Sequence, residues 1–559
     1  MHSSLKRDCE QASEVKAYVL HILLIMFKKL IFYCTLMVLV TISNSLSILL
    51  LEPILSTSHH IWTLNLLKGL LSKGHHVHIV SIHEPDIKGK LAQNMTYAIF
   101  GDIMEQLHES EDYDPNEWEK FSVSYATYFL YNIASSSCEK TIETKEAKEL
   151  MEMIKNVEFD VIVQDVTLHQ CLYGLWQIAK GKPPVVGFVP YGLAPWLKDY
   201  IGGPYYPTVR SYPNTAIAKP ESLCQKTWNT FYYFIDDLLR SYYYMPISQR
   251  IAERYIGHEI RPLRELEKNI TILLINTHSA FEPAIPLPPN AIEIGGLHAQ
   301  PLQATDEKAV IYPDSIRKFL DDAKNGAVII SLGTNVNWKS IGLDKLKAVT
   351  QALSKLNQRV VWKLDIELSF EVSNNIMVVK WLQQNEILNH KNIKAIWTHG
   401  GLLSTQEAIW NGVPVIGMPF FADQKPNVEL LVHKGAGVRL DIATLSTESV
   451  LDAFEKVLYN ESYTKNMKRL SYEFRDRPVP PLDLAVWWIE YAARHPSGSL
   501  ASPLRSQSWV KQNLIDIYAF LFLNLIIILS IVYLLLKKLF NFCLNHTYAI
   551  SKSQKKKQM

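Results

Sequence analysis

Between Trp381 and Gln424 the chain reads WLQQNEILNHKNIKAIWTHGGLLSTQEAIWNGVPVIGMPFFADQ, and its residue types are those that hold an anion. A short apolar, β-branched run, Ile393–Thr398, predicts a buried strand. His399, Gly400 and Gly401 follow it, and a helical pattern runs from about Leu403 to Trp410. Strand, glycine turn and helix N-terminus in that order suit a phosphate. The glycines let the backbone approach closely, and the first-turn N–H groups and helix dipole favour negative charge. Gly412 and Pro414 stop the helix, and Val415–Met418 forms the next strand. Asp423 and Gln424 come after it, where open α/β sheets bind ligands. Taken alone, these features fit an ordinary βαβ unit with a tight turn at least as well.

The elements that would position further chemistry lie upstream. Leu46–Leu51 is a continuous apolar strand ending at Glu52-Pro53. A polar loop from Ser56 to His60 then leads into a helix from about Trp62 to Ser72, closed by Gly74, and His76–Ser81 is the next strand. The loop therefore puts Ser58, His59 and His60 at the carboxyl end of the first strand. Phe159–Gln164 is another strand, followed by Asp165, a helical stretch to about Lys180 and the strand Val185–Val189. Asp165 at that place could simply cap the helix. Residues 84–155 read as mostly helical, and the aromatic-rich stretch from Tyr191 to Tyr255 would suit lipophilic ligands or plain helix packing. Ile270–Ile275 is a buried strand, the LPPN segment Leu287–Asn290 reads as an interdomain linker, and Ile292–Gly296 as the first strand of a second domain. Ala327–Ser331 ends in Ser331-Leu332-Gly333-Thr334, where the glycine gives room and the hydroxyls can bond phosphate oxygens. His75, His76 and His78 make a poor metal site, because His75 faces away from the other two and no cysteine or carboxylate is near in sequence.

The whole string from Trp381 to Gln424 resembles the signature of the UDP-glycosyltransferase family, membrane-bound enzymes that attach a sugar to small lipophilic acceptors. The likeness rests on the Trp-Leu-x-Gln start, the Thr-His-Gly-Gly turn, Glu407 eight residues after His399, and the Asp-Gln pair. Gln383 and Leu403 depart from it, where the family usually has proline and often asparagine; the HGGLLSTQEA wording is most similar to insect members. The segment Phe474 to His495 resembles the family's helical ending. The resemblance implies an α/β chain of GT-B type: two Rossmann-like doubly wound domains facing across a cleft, plus a C-terminal transmembrane helix. It also implies roles. His59, with His60 as rival, would be the general base and Asp165 its orienting partner. Ser331, Gly333, His399, Gly401 and Ser404 would hold the diphosphate. Trp381 would stack on uracil, Gln384 bond its edge, Glu407 bind the ribose, and Asp423 with Gln424 the sugar. The expected reaction is inverting transfer, glucose being preferred to glucuronic acid from the insect-like wording, in detoxification or hormone or pigment conjugation. The resemblance implies no metal or other cofactor. A GT-B protein that binds lipophiles without turnover is the competing reading; the presence of Asp165, His399 and the Asp-Gln pair weighs against it.

Composition and the chain ends set the compartment. The 559 residues are too many for one ordinary core, and 57 basic against 55 acidic residues imply no general attraction to nucleic acid. Lys28 and Lys29 precede an apolar run, Leu30 to Ile42, and the small residues Ser43 and Ser45, the pattern of a signal peptide; Met26 is an alternative start. Ile517 to Leu536 is uncharged and long enough to span a bilayer, and Lys537, Lys538 and a lysine-rich tail follow. The expected layout is thus a leader over 1–45, an acceptor-binding domain over 46–287, a UDP-sugar domain over 288–500, a transmembrane helix over 517–536 and a cytosolic tail over 537–559. That makes a single-pass endoplasmic-reticulum protein with a lumenal body, with monomer and homo-oligomer both left open. The final Lys556-Lys557-Gln558-Met559 resembles a dilysine retrieval signal. Sequons at Asn94, Asn269 and Asn460 fall on the lumenal side, whereas Asn545 is on the cytosolic side and is expected to stay unused. Of six cysteines, Cys138, Cys171 and Cys224 lie in the body, so at most one disulfide is expected, and none that the fold depends on.

Overall fold

The computed structural model describes residues 25–29, 45–100, 115–300, 312–336 and 338–557. The signal-peptide run from Leu30 to Ile42 and the last two residues of the retrieval signal lie outside them. Two parallel sheets carry the body. The first contains β1 (Ser47–Leu51), β2 (His76–Ser81), β3 (Met95–Ile99), β4 (Val161–Asp165), β5 (Val185–Val189), β6 (Ile270–Ile275) and β7 (Ala291–Glu293), in the order β3-β2-β1-β4-β5-β6-β7. The second contains β8 (Ala327–Ser331), β9 (Arg359–Lys363), β10 (Ile376–Val379), β11 (Ile393–Thr398), β12 (Val415–Gly417) and β13 (Gly437–Arg439), in the order β10-β9-β8-β11-β12-β13.

Both orders reverse direction once, between β1 and β4 and between β8 and β11. At such a reversal the connections leave to opposite sides and open a crevice beyond the strand ends. The central strands are mainly apolar because helices cover both faces; β4, β5, β6 and β8 are buried at every residue.

Four expectations change here. The first helix, α1 (Thr57–Ser72), begins earlier than its apolar pattern suggests, so His59 and His60 sit in its first turn and not in a loop. Thr-Ser-His-His carries little helix propensity, and tertiary contacts described below hold the turn. Second, residues 84–155 include a strand, β3, beside a long helix, α2 (Val123–Glu143). Third, the segment after Asp165 is not a continuous helix. His169 takes a left-handed conformation, φ 63°, between the strand and two short helical pieces, Gln170–Tyr173 and Gly174–Ile178. Its backbone N–H donates to Tyr244 Oη at 3.1 Å.

Fourth, the domain limits at 287 and 288 move. The 291–293 strand pairs with β6 through Leu274 and Ile292, so it closes the first sheet instead of opening the second. Helix α3 (Leu402–Asn411) belongs to the second domain, but α4 (Pro481–Arg494) returns to the first. Ala485, Val486 and Ile489 of α4 share a buried cluster with Ile48, Leu70 and Ile272. A Cβ on Gly69 of α1 would lie 2.6 Å from Leu482 Cδ1, so the Leu482 side chain packs directly on the α1 backbone. Segment Pro503–Ser506 then straps onto the first domain, with the Arg505 guanidinium donating to Ile270 O at 2.8 Å.

Helix α5 runs unbroken from Ile515 to Lys557, taking in both the expected span and most of the expected tail. It is long and apolar enough to cross a membrane, and its described side chains pack against almost nothing. A disulfide joins Cys138 of α2 to Cys171, within the expectation of at most one; three body cysteines left the pairing open until the fold brought two together. Asn269 and Asn460 are exposed and Asn94 is half-buried.

Candidate active site

One cavity of about 510 Å³ lies between the two switch points. It is lined by His59, Ser331, Gly333, Trp381, Gln384, His399, Gly401, Ser404, Glu407, Asp423 and Gln424, all expected site residues. Asp165 is the exception: it is fully buried behind His59, which it reaches from the end of β4. The domains meet directly across this space. Asn335 Nδ2 donates to Ser56 Oγ at 3.4 Å, Asn214 and Ala422 exchange two hydrogen bonds, and Trp118 packs edge-on against Phe421.

On the first domain, α1 turns the His59 ring toward the sheet, and Nδ1 meets Asp165 Oδ2 at 2.5 Å. Asp165 Oδ1 accepts the Thr167 N–H at 2.9 Å, which fixes the carboxylate's rotation. Burial disfavours the imidazolium, but the charge and hydrogen bond of Asp165, with Glu52 and Asp423 behind them, raise the His59 pKa above 6.5. With Nδ1 engaged, Nε2 is left as the atom for a substrate proton. His60, the rival, points elsewhere: its Nδ1 lies 2.9 Å from Glu52 Oε2, and it does not line the cavity.

On the second domain, β11 ends in the glycine turn and α3 starts at Leu402. His399 is held between glycines: a Cβ on Gly333 or on Gly401 would overlap its ring. Burial first, then the charge of Lys363, pushes its pKa down to about 3, so the ring is neutral. Its Nδ1 lies 3.1 Å from Thr398 Oγ1, and a hydroxyl donating there leaves Nε2–H to point at an anion. Asp423 Oδ2 accepts the Leu402 N–H at 3.0 Å and Asn427 Nδ2 at 2.9 Å, and burial pushes its pKa up to about 6. It therefore caps α3 as well as facing the cavity. Gln424 Oε1 accepts the N–H groups of Phe420 and Phe421, so only its amide nitrogen remains for a ligand. Gln384 Nε2 donates to Glu407 Oε2 at 2.6 Å and to Ser404 Oγ at 2.9 Å. Burial drives the Glu407 pKa up to about 8.

Lys363 was not among the expected site residues. It ends β9, its Nζ donates to Gly333 O at 2.6 Å, and it sits 4.8 Å above the half-exposed Trp381 ring. A cation at the carboxyl end of the strand beside the Ser331 turn was the available signal. The opposite wall is apolar, with Phe121, Phe129, Leu130 and Ile133 of the first domain among its residues. Among the described residues no three His, Cys, Asp or Glu side chains gather as a metal site would require.

Known proteins resemble this chain in sequence and in fold. The profile of the UDP-glucoronosyl and UDP-glucosyl transferase family matches residues 48–553. The UDP-glycosyltransferase UGT5 of Dactylopius coccus is 32% identical over 381 residues, covering 67% of this chain and 70% of that protein. The UDP-glucuronosyltransferase 2B1 of Rattus norvegicus is 30% identical over 449 residues, 78% of this chain and 80% of that protein. Among solved structures, the spinosyn forosaminyltransferase SpnP superposes with a TM-score of 0.54 at 16% identity, covering 81% of this chain and 100% of that one. The glycosyltransferase VinC gives 0.53 at 15% identity, covering 80% and 99%. Those structural matches establish the GT-B fold.

Proposed function

Since the chain belongs to the UDP-glycosyltransferase family, we propose that it moves glucose from UDP-glucose to a hydroxyl of a small lipophilic acceptor, with inversion and without a metal cofactor. The observation that carries this reading is the His59–Asp165 pair, 2.5 Å apart, opening onto the same cavity as the glycine-cradled His399. His59 Nε2 takes the acceptor proton as the oxygen attacks the anomeric carbon. Asp165 stabilises the imidazolium that results; a positioned base of this kind contributes about 10²–10⁴ in rate. The bond to the UDP oxygen breaks in the same step, and the new negative charge meets Lys363, the His399 N–H and the free N–H groups of the first turn of α3. One displacement from one face converts an α-linked donor into a β-glycoside.

The apolar wall at Phe121, Phe129, Leu130 and Ile133 supports a lipophilic acceptor. Conjugation of foreign compounds, hormones or pigments is the physiological setting we propose. Helix α5 supports a single-pass anchor, and its following lysines support an endoplasmic-reticulum orientation with the domains lumenal and the tail cytosolic. The deciding experiment is His59→Ala: UDP binding by calorimetry should persist while transfer disappears. Turnover at the wild-type rate would remove His59 as the base. Parallel assays with UDP-glucose and UDP-glucuronate, using a phenolic acceptor, decide the donor; turnover only with glucuronate rejects glucose.

A further inference from the structure

A second histidine–carboxylate pair stands beside the first, and neither of its members lines the cavity. β1 and β4 are neighbours in register, Leu51 opposite Gln164, so the residues that follow, Glu52 and Asp165, stand side by side at the sheet edge. In the first turn of α1, His59 and His60 project about 100° apart, as successive helical residues must. Each therefore finds its own strand end. His59 Nδ1 meets Asp165, and His60 Nδ1 meets Glu52 Oε2 at 2.9 Å. Ser81, at the end of β2, donates its hydroxyl to the same Glu52 oxygen at 2.6 Å and lies 3.0 Å from His60 Nδ1. Burial raises the Glu52 pKa, and the His60 and Ser81 hydrogen bonds oppose that by favouring the carboxylate.

Glu52 and Ser81 are fully buried, and Glu52 Oε1 has no hydrogen-bond partner. The His83 ring packs edge-on against His60, with centroids 5.2 Å apart, and His83 Nε2 lies 3.4 Å from Thr57 Oγ1 at the start of α1. Burying a half-satisfied carboxylate is costly, and a neutral hydrogen-bonding residue would hold the helix with less penalty. A carboxylate there also favours a positive charge on His59.

We propose that Glu52 is a positioning residue for transfer: through His60 it fixes the rotation of the first turn of α1, and it stands as a second buried carboxylate behind the imidazolium that His59 becomes. The groups facing His59 agree in sign. Asp165 on β4, Glu52 after β1 and Asp423 from the second domain all favour its charged form, against burial. His169, after β4, is neutral in this setting. Glu52 itself faces His60, Ser81 and the like charge of Asp165.

This inference rests on His59 being the base, so His59→Ala is run alongside. The assay uses full-length protein in microsomes, 1-naphthol, and whichever of UDP-glucose or UDP-glucuronate the wild type turns over. His59 accepts a proton only when neutral, so kcat/KM falls on the acid side as the ring protonates. Glu52→Gln keeps the shape and removes the charge. The acid limb should move to lower pH by about one unit, while UDP affinity stays at the wild-type value. Ser81→Ala removes a donor from Glu52, so the limb should move in the same direction. His60→Phe removes a donor from Glu52, so the carboxyl takes up a proton and the limb should move as in Glu52→Gln. A limb that stays in place in folded Glu52→Gln, or in folded His60→Phe if the first variant does not fold, overturns the proposal. If His59→Ala is inactive while that limb is unmoved, only the role of Glu52 falls; if His59→Ala turns over, the assignment of the base falls with it.

Discussion

The ring of His399 fills the space that a side chain on Gly333 would need. Gly333 also has φ +75°, in the left-handed region where a Cβ is strained. A substitution there strikes twice, once at the backbone and once at the imidazole beside the diphosphate site. Gly333→Ala should cost about 1–3 kcal/mol of stability, read as a lower melting temperature. It should also raise the KM for UDP-sugar, leaving the acceptor KM near the wild-type value.

Glu407 gives UDP binding a pH dependence of definite sign. In the free protein its pKa is pushed up to about 8, so near neutrality it is largely protonated. Ribose hydroxyls that donate to it favour the carboxylate, so binding releases a proton and tightens as pH rises toward 8. Calorimetry of UDP in buffers of different ionisation enthalpy should detect that release in the wild type and not in Glu407→Gln. Equal proton counts in the two proteins would place the ribose elsewhere.

Lys363 should contribute charge to donor binding. Lys363→Met is expected to weaken UDP binding about tenfold, equivalent to about 1.4 kcal/mol, and to flatten its dependence on salt. Lys363→Arg should restore most of both. Since Lys363 also holds Gly333 O, a circular dichroism melt of each variant separates a displaced turn from a missing charge.

The Cys138–Cys171 disulfide ties α2, which lines the cavity, to the segment that follows Asp165. Replacing both cysteines by serine, or reducing the folded protein, should lower stability by about 2–4 kcal/mol. The loss should appear in kcat before it appears in UDP affinity, because the tether serves the His59–Asp165 side of the cleft.

Much of this was readable in the sequence for a physical reason. Buried parallel strands must be largely apolar, so β1, β4, β6, β8 and β11 stand out as predominantly apolar runs. A glycine turn before a helix is a local signal, which is why His399, Gly401 and Asp423 could be placed together. What stayed hidden depends on contacts between distant residues. The start of α1 is held by Asp165 and Glu52, not by its own propensity. β7 has only three residues, and its partner strand decides which sheet it joins. Gln384 and Gln424 were expected to face ligand, yet each spends part of its amide on neighbouring groups, which residue type does not reveal. The pairing of Cys138 with Cys171 and the place of Lys363 over Trp381 likewise follow from tertiary geometry.

The return of α4 has a consequence for exchanging parts between relatives. A chimera joined at the Leu287–Asn290 segment would take β7 and α4 from one parent and set them against β6 and α1 of the other. Both seams are buried, and a side chain at Gly69 would force Leu482 and Val486 to shift. The unit to exchange intact is therefore the first domain through β7, together with α4 and the strap at Pro503–Ser506. The second domain is an insertion within that unit, and helix α5 travels with the first domain.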